Sequence, residues 1–216
     1  MNYRFCLSAL ITLSVYTTMH AQEHRYDLSS LAQQGALLAQ NRTISALPAE
    51  KAIRFSTAAG DGVAWLKDVE FANGTIELDI RGKDVLQQSF VGVAFHGISK
   101  DSLEAVYFRP FNFQSADSLR RVHMVQYVSH PDFPWDRLRS ERTGVFEKAI
   151  PQAPAPANWF HAKIVVRYPE VKIYVNNQSS PCLVVTELSN RKKGRIGLWV
   201  GNNSDGDFAN LVITGE

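Results

Sequence analysis

Cysteine is nearly absent: 216 residues contain two, Cys6 and Cys182. If the N-terminal segment holding Cys6 is removed, Cys182 has no partner in its own chain. A disulfide framework is then excluded, and packing alone must hold the fold. Charge of one sign is also lacking, with 23 Lys and Arg against 21 Asp and Glu and a formal charge of +2. Loss of Arg4 brings this to about +1, too little field to favour nucleic acid. No apolar run approaches the ~20 residues of a membrane span. No two His stand at zinc spacing on one strand or helix. No repeat of about 20–50 residues occurs, which excludes a propeller or solenoid.

The first feature present is a leader. Arg4, the apolar run Phe5 to Val15 and Met19-His20-Ala21 read as a secretory signal peptide over residues 1–21. Cleavage near Ala21 would release residues 22–216 as one domain that is secreted, periplasmic or at the cell surface. Leu28 to Leu38 reads as a short helix capped by Ser29 or Ser30. Beyond it, period-two runs dominate. In Gly74 to Arg81, Ile76, Leu78 and Ile80 point one way and Glu77, Asp79 and Arg81 the other. Ser89 to Gly97 places Val91, Val93 and Phe95 on one face and Gly92, Ala94 and His96 on the opposite one. Leu103 to Phe108, Arg121 to Val128, Phe160 to Tyr168, Val171 to Val175, Cys182 to Thr186, Arg195 to Val200 and Phe208 to Ile213 follow. Many short strands with hardly any helical periodicity predict an all-β, two-sheet antiparallel β-sandwich of the jelly-roll kind, its core over about residues 50–216.

The stretch Leu103 to Glu141 carries the densest chemistry. Arg109 shares a face with Tyr107 and could fork onto a carboxylate or sulfate, or form a structural pair with Glu77 or Asp79. On the predicted strand Arg121 to Val128, Arg121, His123 and Tyr127 would face outward together, with His123 or Tyr127 able to take a proton. The following loop, Ser129 to Arg139, holds His130, Trp135 and Arg139, with Glu141 just beyond it, and its Trp would either stack on a sugar or plug the sandwich end. Six Arg against five acids over Leu103 to Arg142 suggests internal pairing rather than a polyanion track. Glu77 and Asp79, at i and i+2 on one strand, are either a carboxylate pair for glycoside chemistry or a solvated face. No metal site or cofactor is expected. The oxygen-rich segment Asn202 to Asp207 reads as a turn, with a structural calcium as its alternative. Cys182, beside Leu183 to Val185, reads as a buried structural thiol.

At Asn73 to Asp79, Val91 to His96, Gly197 to Val200 and Asp207 to Leu211, the chain resembles the concanavalin A-like lectin/glucanase sandwich. In particular it is similar to 3-keto-disaccharide hydrolase-like and laminarinase-type (family 16 glycoside hydrolase) domains of secreted bacterial proteins. The resemblance implies the jelly-roll fold, which hosts both lectins and enzymes. The family 16 pattern is Glu-x-Asp-x-(x)-Glu. Glu77 and Asp79 match its first two positions, whereas Arg81 and Gly82 occupy the place of the last Glu. The 3-keto-disaccharide family's Asn-Ser-Gly run is likewise replaced by Ser89-Phe90-Val91-Gly92.

Three readings follow. The first is a binder of a polysaccharide or oligosaccharide, its groove lined by Glu77, Asp79, His96, Tyr107, Arg109, His123, Tyr127 and Trp135. The second is a glycoside hydrolase or β-eliminating lyase on an oxidised or acidic glycoside. His123 or Tyr127 would be its base, Arg109 its anchor and Glu77 or Glu141 its acid; Arg121, His130 and Arg139 would contact ligand. The third is a structural or adhesion sandwich.

Overall fold

The computed structural model describes residues 22–215; the expected signal peptide lies outside the described residues. The chain opens with β1 (Gln22–Tyr26), α1 (Leu28–Gln33), β2 (Leu37–Gln40), β3 (Ile44–Leu47) and β4 (Ala52–Phe55). Next come β5 (Gly62–Phe71), β6 (Gly74–Arg81), β7 (Val91–Ser99) and β8 (Ser102–Phe108). After α2 (Ser118–Arg121), β9 (Val125–His130), α3 (Trp135–Glu141) and β10 (Glu147–Lys148), the chain is strand again. These last strands are β11 (Phe160–Arg167), β12 (Glu170–Val175), β13 (Leu183–Thr186), β14 (Gly194–Val200) and β15 (Gly206–Gly215).

Two antiparallel sheets result. One has eight strands in the order β13-β12-β11-β6-β15-β4-β3, with β1 also on β15. Strands β4 and β1 share one edge of β15, the first along Gly206 to Phe208 and the second along Leu211 to Gly215. The other sheet has seven strands in the order β10-β9-β8-β7-β14-β5-β2. The sandwich therefore also uses strands that precede residue 50, which the sequence patterning did not mark.

The core lies between the sheets. Ile76, Leu78 and Ile80 are fully buried, while Glu77, Asp79 and Arg81 turn outward, as the alternation of β6 requires. From the facing sheet come Val93, Phe95, Val106 and Phe108. The Phe108 and Phe160 rings meet edge to face across the gap, centroids 5.1 Å apart. Burial of one such ring contributes about 1.5–3 kcal/mol.

Local signals set three departures from the expected elements. Helix α1 is capped by Asp27, whose Oδ1 accepts from the Ser30 amide at 3.0 Å, and not by Ser29 or Ser30. Gly35 follows at φ +67° and releases the chain into β2 before Leu38. The run Arg121 to Val128 is not one strand. Asp117 caps α2 by accepting from the Leu119 amide at 2.8 Å, and the His123 amide closes a turn onto Arg120, so β9 starts only at Val125. The aromatic segment after β9 is not all loop either, since Trp135 opens α3 directly after Pro134.

Candidate functional site

A cleft of about 690 Å³ lies on the outer face of the seven-stranded sheet. Its floor is aromatic. Tyr107 from β8 and Trp199 from β14 lie 5.0 Å apart between centroids, and Phe90 packs edge-on to Tyr107 at 6.0 Å. Gly92 of β7 pairs with Tyr107 and must be small, because a Cβ there would sit 2.8 Å from the Tyr107 Cβ. The walls come from irregular segments. Phe111, Asn112, Arg120 and His123 flank one side, Trp135 and Arg139 of α3 another, and Leu86-Gln87, Asp61 and Gly201 to Asn203 complete the rim. Trp135 is 47% exposed, and the Arg139 guanidinium stacks 4.9 Å from its ring.

Beneath one end of the cleft sits a buried polar knot built on Glu147 of β10. Arg139 forks onto it, with Nε and Nη2 donating at 2.9 and 2.7 Å. Arg109, 4% exposed, places Nη1 3.5 Å away and gives Nη2 to Tyr107 Oη (2.8 Å) and Gln126 Oε1 (2.9 Å). His123 Nδ1 lies 2.8 Å from Glu147 Oε2 but off the hydrogen-bond line, so this contact is electrostatic. Burial alone would raise the Glu147 pKa, yet the Arg139 hydrogen bonds and the Arg139, Arg109 and His123 charges hold it below the ordinary carboxylate value. Burial pushes the Tyr107 hydroxyl up to about 12, which keeps it a proton donor. On the Asn202 side, burial raises Asp61 against the pull of His130 and Arg42, and burial lowers His130.

Of the residues the sequence singled out, Tyr107, Arg109, His123, His130, Trp135 and Arg139 line this cleft. Several others do not. Tyr127 is fully buried between the sheets, its hydroxyl donating to Glu104 and its ring stacked on Phe146. Register explains the reversal. Because β9 starts at Val125, Gln126, Val128 and His130 share the Tyr107 face, and the odd positions face the core. Arg121 sits at the end of α2 and donates to the Ser115 carbonyl at 2.9 Å, outside the cleft, and the next residue, Val122, is exposed. His96 is fully buried. The ladder to β8 breaks after Phe95, and His96 adopts φ +46°, which swings it inward to Glu187 Oε2 at 3.0 Å. Glu141 pairs with Arg137 on the exposed side of α3.

Glu77 and Asp79 lie on the opposite sheet's outer face, so one groove does not gather all the expected groups. His161 of β11 bridges them, Nδ1 2.8 Å from Asp79 and Nε2 3.2 Å from Glu77. Arg109 thus pairs with Glu147, not with Glu77 or Asp79. In the segment Asn202 to Asp207, the Asn202 Oδ1 accepts from the Gly60 amide at 2.7 Å, and Asp207 takes Arg54 and Arg81. Cys182 Sγ contacts the Ile173 carbonyl at 3.3 Å, and burial raises its thiol to about 12, as suits a structural cysteine.

Sequence reasoning missed Asn112, Arg120, Asp61 and Trp199 in the cleft lining, and Glu147 and Gln126 in the polar knot beneath it. Gln126 and Asn112 carried a signal. Gln126 falls on the Tyr107 face once β9 is started at Val125, and Asn112 follows Arg109-Pro110 directly.

No protein-family model matches this chain, and no curated protein sequence does. Solved structures do match. The carbohydrate binding module CBM66 from Bacillus subtilis superposes with a TM-score of 0.58 at 15% identity, covering 82% of this chain and 95% of the module. A Bacillus subtilis protein of unknown function with a galectin-like fold gives 0.61 at 14% identity, covering 88% and 94%. The exoplasmic/lumenal domain of VIP36, in a Ca2+/Man3GlcNAc-bound form, gives 0.55 at 11% identity, covering 83% of each chain. The likeness is one of fold: the chain is a two-sheet antiparallel sandwich of the galectin-like, concanavalin A-like jelly-roll class.

Proposed function

We propose that the protein is a secreted glycan-binding sandwich whose ligand lies in the cleft over Tyr107 and Trp199. One observation carries this reading. The half-exposed Trp135 ring stands at the rim of a cleft with an aromatic floor, beside Gln87, Asn112, Asn202 and Asn203. Apolar ring faces with amide and guanidinium edges match a sugar, which presents C–H faces and hydroxyl edges. The folds alongside include a carbohydrate binding module and a domain seen with Man3GlcNAc, which supports the same reading. A glycan array followed by calorimetry tests it. Trp135→Ala should weaken the strongest glycan about tenfold, or ~1.4 kcal/mol, with the melting temperature unchanged. Absence of binding to every plant, algal and host glycan would sink the proposal.

A second reading, β-elimination from a uronate, is favoured by the convergence of His123, Tyr107, Arg109 and Gln126 at one end of the cleft. His123 would take the proton beside the carboxylate, and the released electron pair would form the carbon–carbon double bond as the glycosidic C–O bond breaks. Tyr107, held protonated, would return a proton to the leaving oxygen. Two-carboxylate hydrolysis finds less support here, because Glu147 is engaged by Arg139, Arg109 and His123, and Asp61 is the other carboxylate at the cleft. Unsaturated product appearing from a uronate polymer, and vanishing in His123→Ala, distinguishes the enzyme from the binder.

A further inference from the structure

We infer that the cleft selects glycans carrying an anionic substituent, a carboxylate or a sulfate, and seats that group in the corner formed by Arg120, His123 and Arg139. This rests on the glycan-binding reading above and names the class of glycan. The charged side chains lining the cleft are Arg109, Arg120 and Arg139 against Asp61 alone. Glu147 lies underneath and is already consumed by Arg139, Arg109 and His123. With Glu147 included, three arginines still face two carboxylates. Asp61 belongs to the Asn202 wall, not to this corner, so the imbalance is local.

The corner also has donors to spare. Arg139 spends Nε and Nη2 on Glu147, which leaves Nη1. Arg120 spends Nε on Asn112 Oδ1 at 3.1 Å and Nη2 on the Phe111 carbonyl at 2.8 Å, which again leaves Nη1. His123 turns Nδ1 toward Glu147, and its Nε2 has no partner among the described residues. The three side chains are linked through shared hubs. Glu147 joins His123 to Arg139, and Asn112 joins Arg120 to the His123 carbonyl, to which its Nδ2 donates at 2.9 Å. Each guanidinium lies beside a ring, Arg139 4.9 Å from Trp135 and Arg120 5.9 Å from Phe111. Held this way, they lose little freedom on taking up an anion, so the charge-assisted hydrogen bonds are gained at low entropic cost. The polar cluster on the opposite face differs, because Lys163 and His161 there are matched to Glu77 and Asp79.

The test is a glycan panel with uronate-bearing, sulfated and neutral members, run at low ionic strength. Calorimetry then compares each anionic hit with its methyl ester or its desulfated form. The expected result is a preference of about tenfold or more for the anionic form, reduced by added salt. The uronate and sulfate arms show which anion is the better fit. In Arg120→Gln that preference should fall at least about threefold, because the anionic form loses more affinity than the neutral one. Arg120→Gln also gives up the bonds to Asn112 and the Phe111 carbonyl, so a melting curve is recorded beside each titration; Arg139→Lys, which retains charge but loses the fork, is the companion. Equal affinity for charged and neutral forms, or a preference intact in both variants, overturns this inference and leaves glycan binding standing. Failure of every panel member to bind overturns both.

Discussion

The two outer faces of the sandwich are made of similar residues and behave differently. On the eight-stranded sheet, Glu77, Asp79, His161 and Lys163 form a tied cluster beside a shallow depression of about 530 Å³ that runs to Asn176 to Ser179. On the seven-stranded sheet, Glu147 gathers Arg109, Arg139 and His123 beneath an aromatic cleft. Each cluster is carboxylate, imidazole and cation. What separates them is cover. Among the described residues no segment closes over the first, and its side chains stay about one-third exposed. Helix α3 and the Pro110 to His123 segment roof the second, so Glu147 is 2% exposed. An exposed pair exchanges water for a partner at little gain, whereas removing one member of a buried set strands the others. A face that reads as catalytic from its residue types is therefore the solvated one, and the chemistry collects where chain irregularities build walls.

The largest effect should come from Glu147→Ala. It leaves Arg109 buried with its cationic neighbours and no carboxylate among them, a loss of about 3–5 kcal/mol. Glu77→Ala on the other face should cost under ~1 kcal/mol. Urea unfolding of the two variants measures the difference directly. Equal losses would show that cover does not separate the faces.

How far the sequence revealed this contrast depends on periodicity. Strand β6 was legible, since its clean alternation fixed both the buried Ile76, Leu78 and Ile80 and the outward Glu77 and Asp79. The gathering of Tyr107, Arg109, Trp135 and Arg139 at one cleft was legible because polar and aromatic types crowd one segment. Tyr127 was not, because β9 is apolar or buried on both faces and its alternation carries no inside-outside contrast. Nor was His96, since one left-handed residue reverses the parity of β7 at that point. Glu147 sits in a two-residue strand, too short for any period, and its role exists only through arginines 8 and 38 residues away in the chain.

Acid titration should sharpen the comparison with a smaller effect. Glu147 is held below its ordinary pKa of 4.5, so its contribution to stability is fully present above that pH and is lost as pH falls through its folded value. The melting temperature of the wild type should therefore drop more steeply below pH 4.5 than that of Glu147→Gln. Parallel curves would mean that Glu147 does not carry the linkage.

The smallest effect belongs to the open face and has the opposite sign. The hydrogen bond to Asp79 is the main influence raising His161 above its ordinary 6.5, with Glu77 adding to it against partial burial. A doubly protonated imidazole can donate from both nitrogens, and here each nitrogen meets a carboxylate. The stabilisation is thus complete below pH 6.5 and disappears as pH rises through the folded value of His161. Solvent screening of side chains this exposed keeps it under ~1 kcal/mol. His161→Gln should accordingly remove a shallow alkaline decline in melting temperature and leave the Glu147 contribution to the acid limb in place, although it also releases Asp79, which burial would raise but hydrogen bonds from His161 and Asn210 hold below its ordinary value. Salt should flatten the His161 limb much more than the Glu147 limb, because only the open cluster is reached by counterions. If salt flattens both limbs equally, the two faces are not separated by cover, and the assignment of the buried knot to the roofed cleft fails.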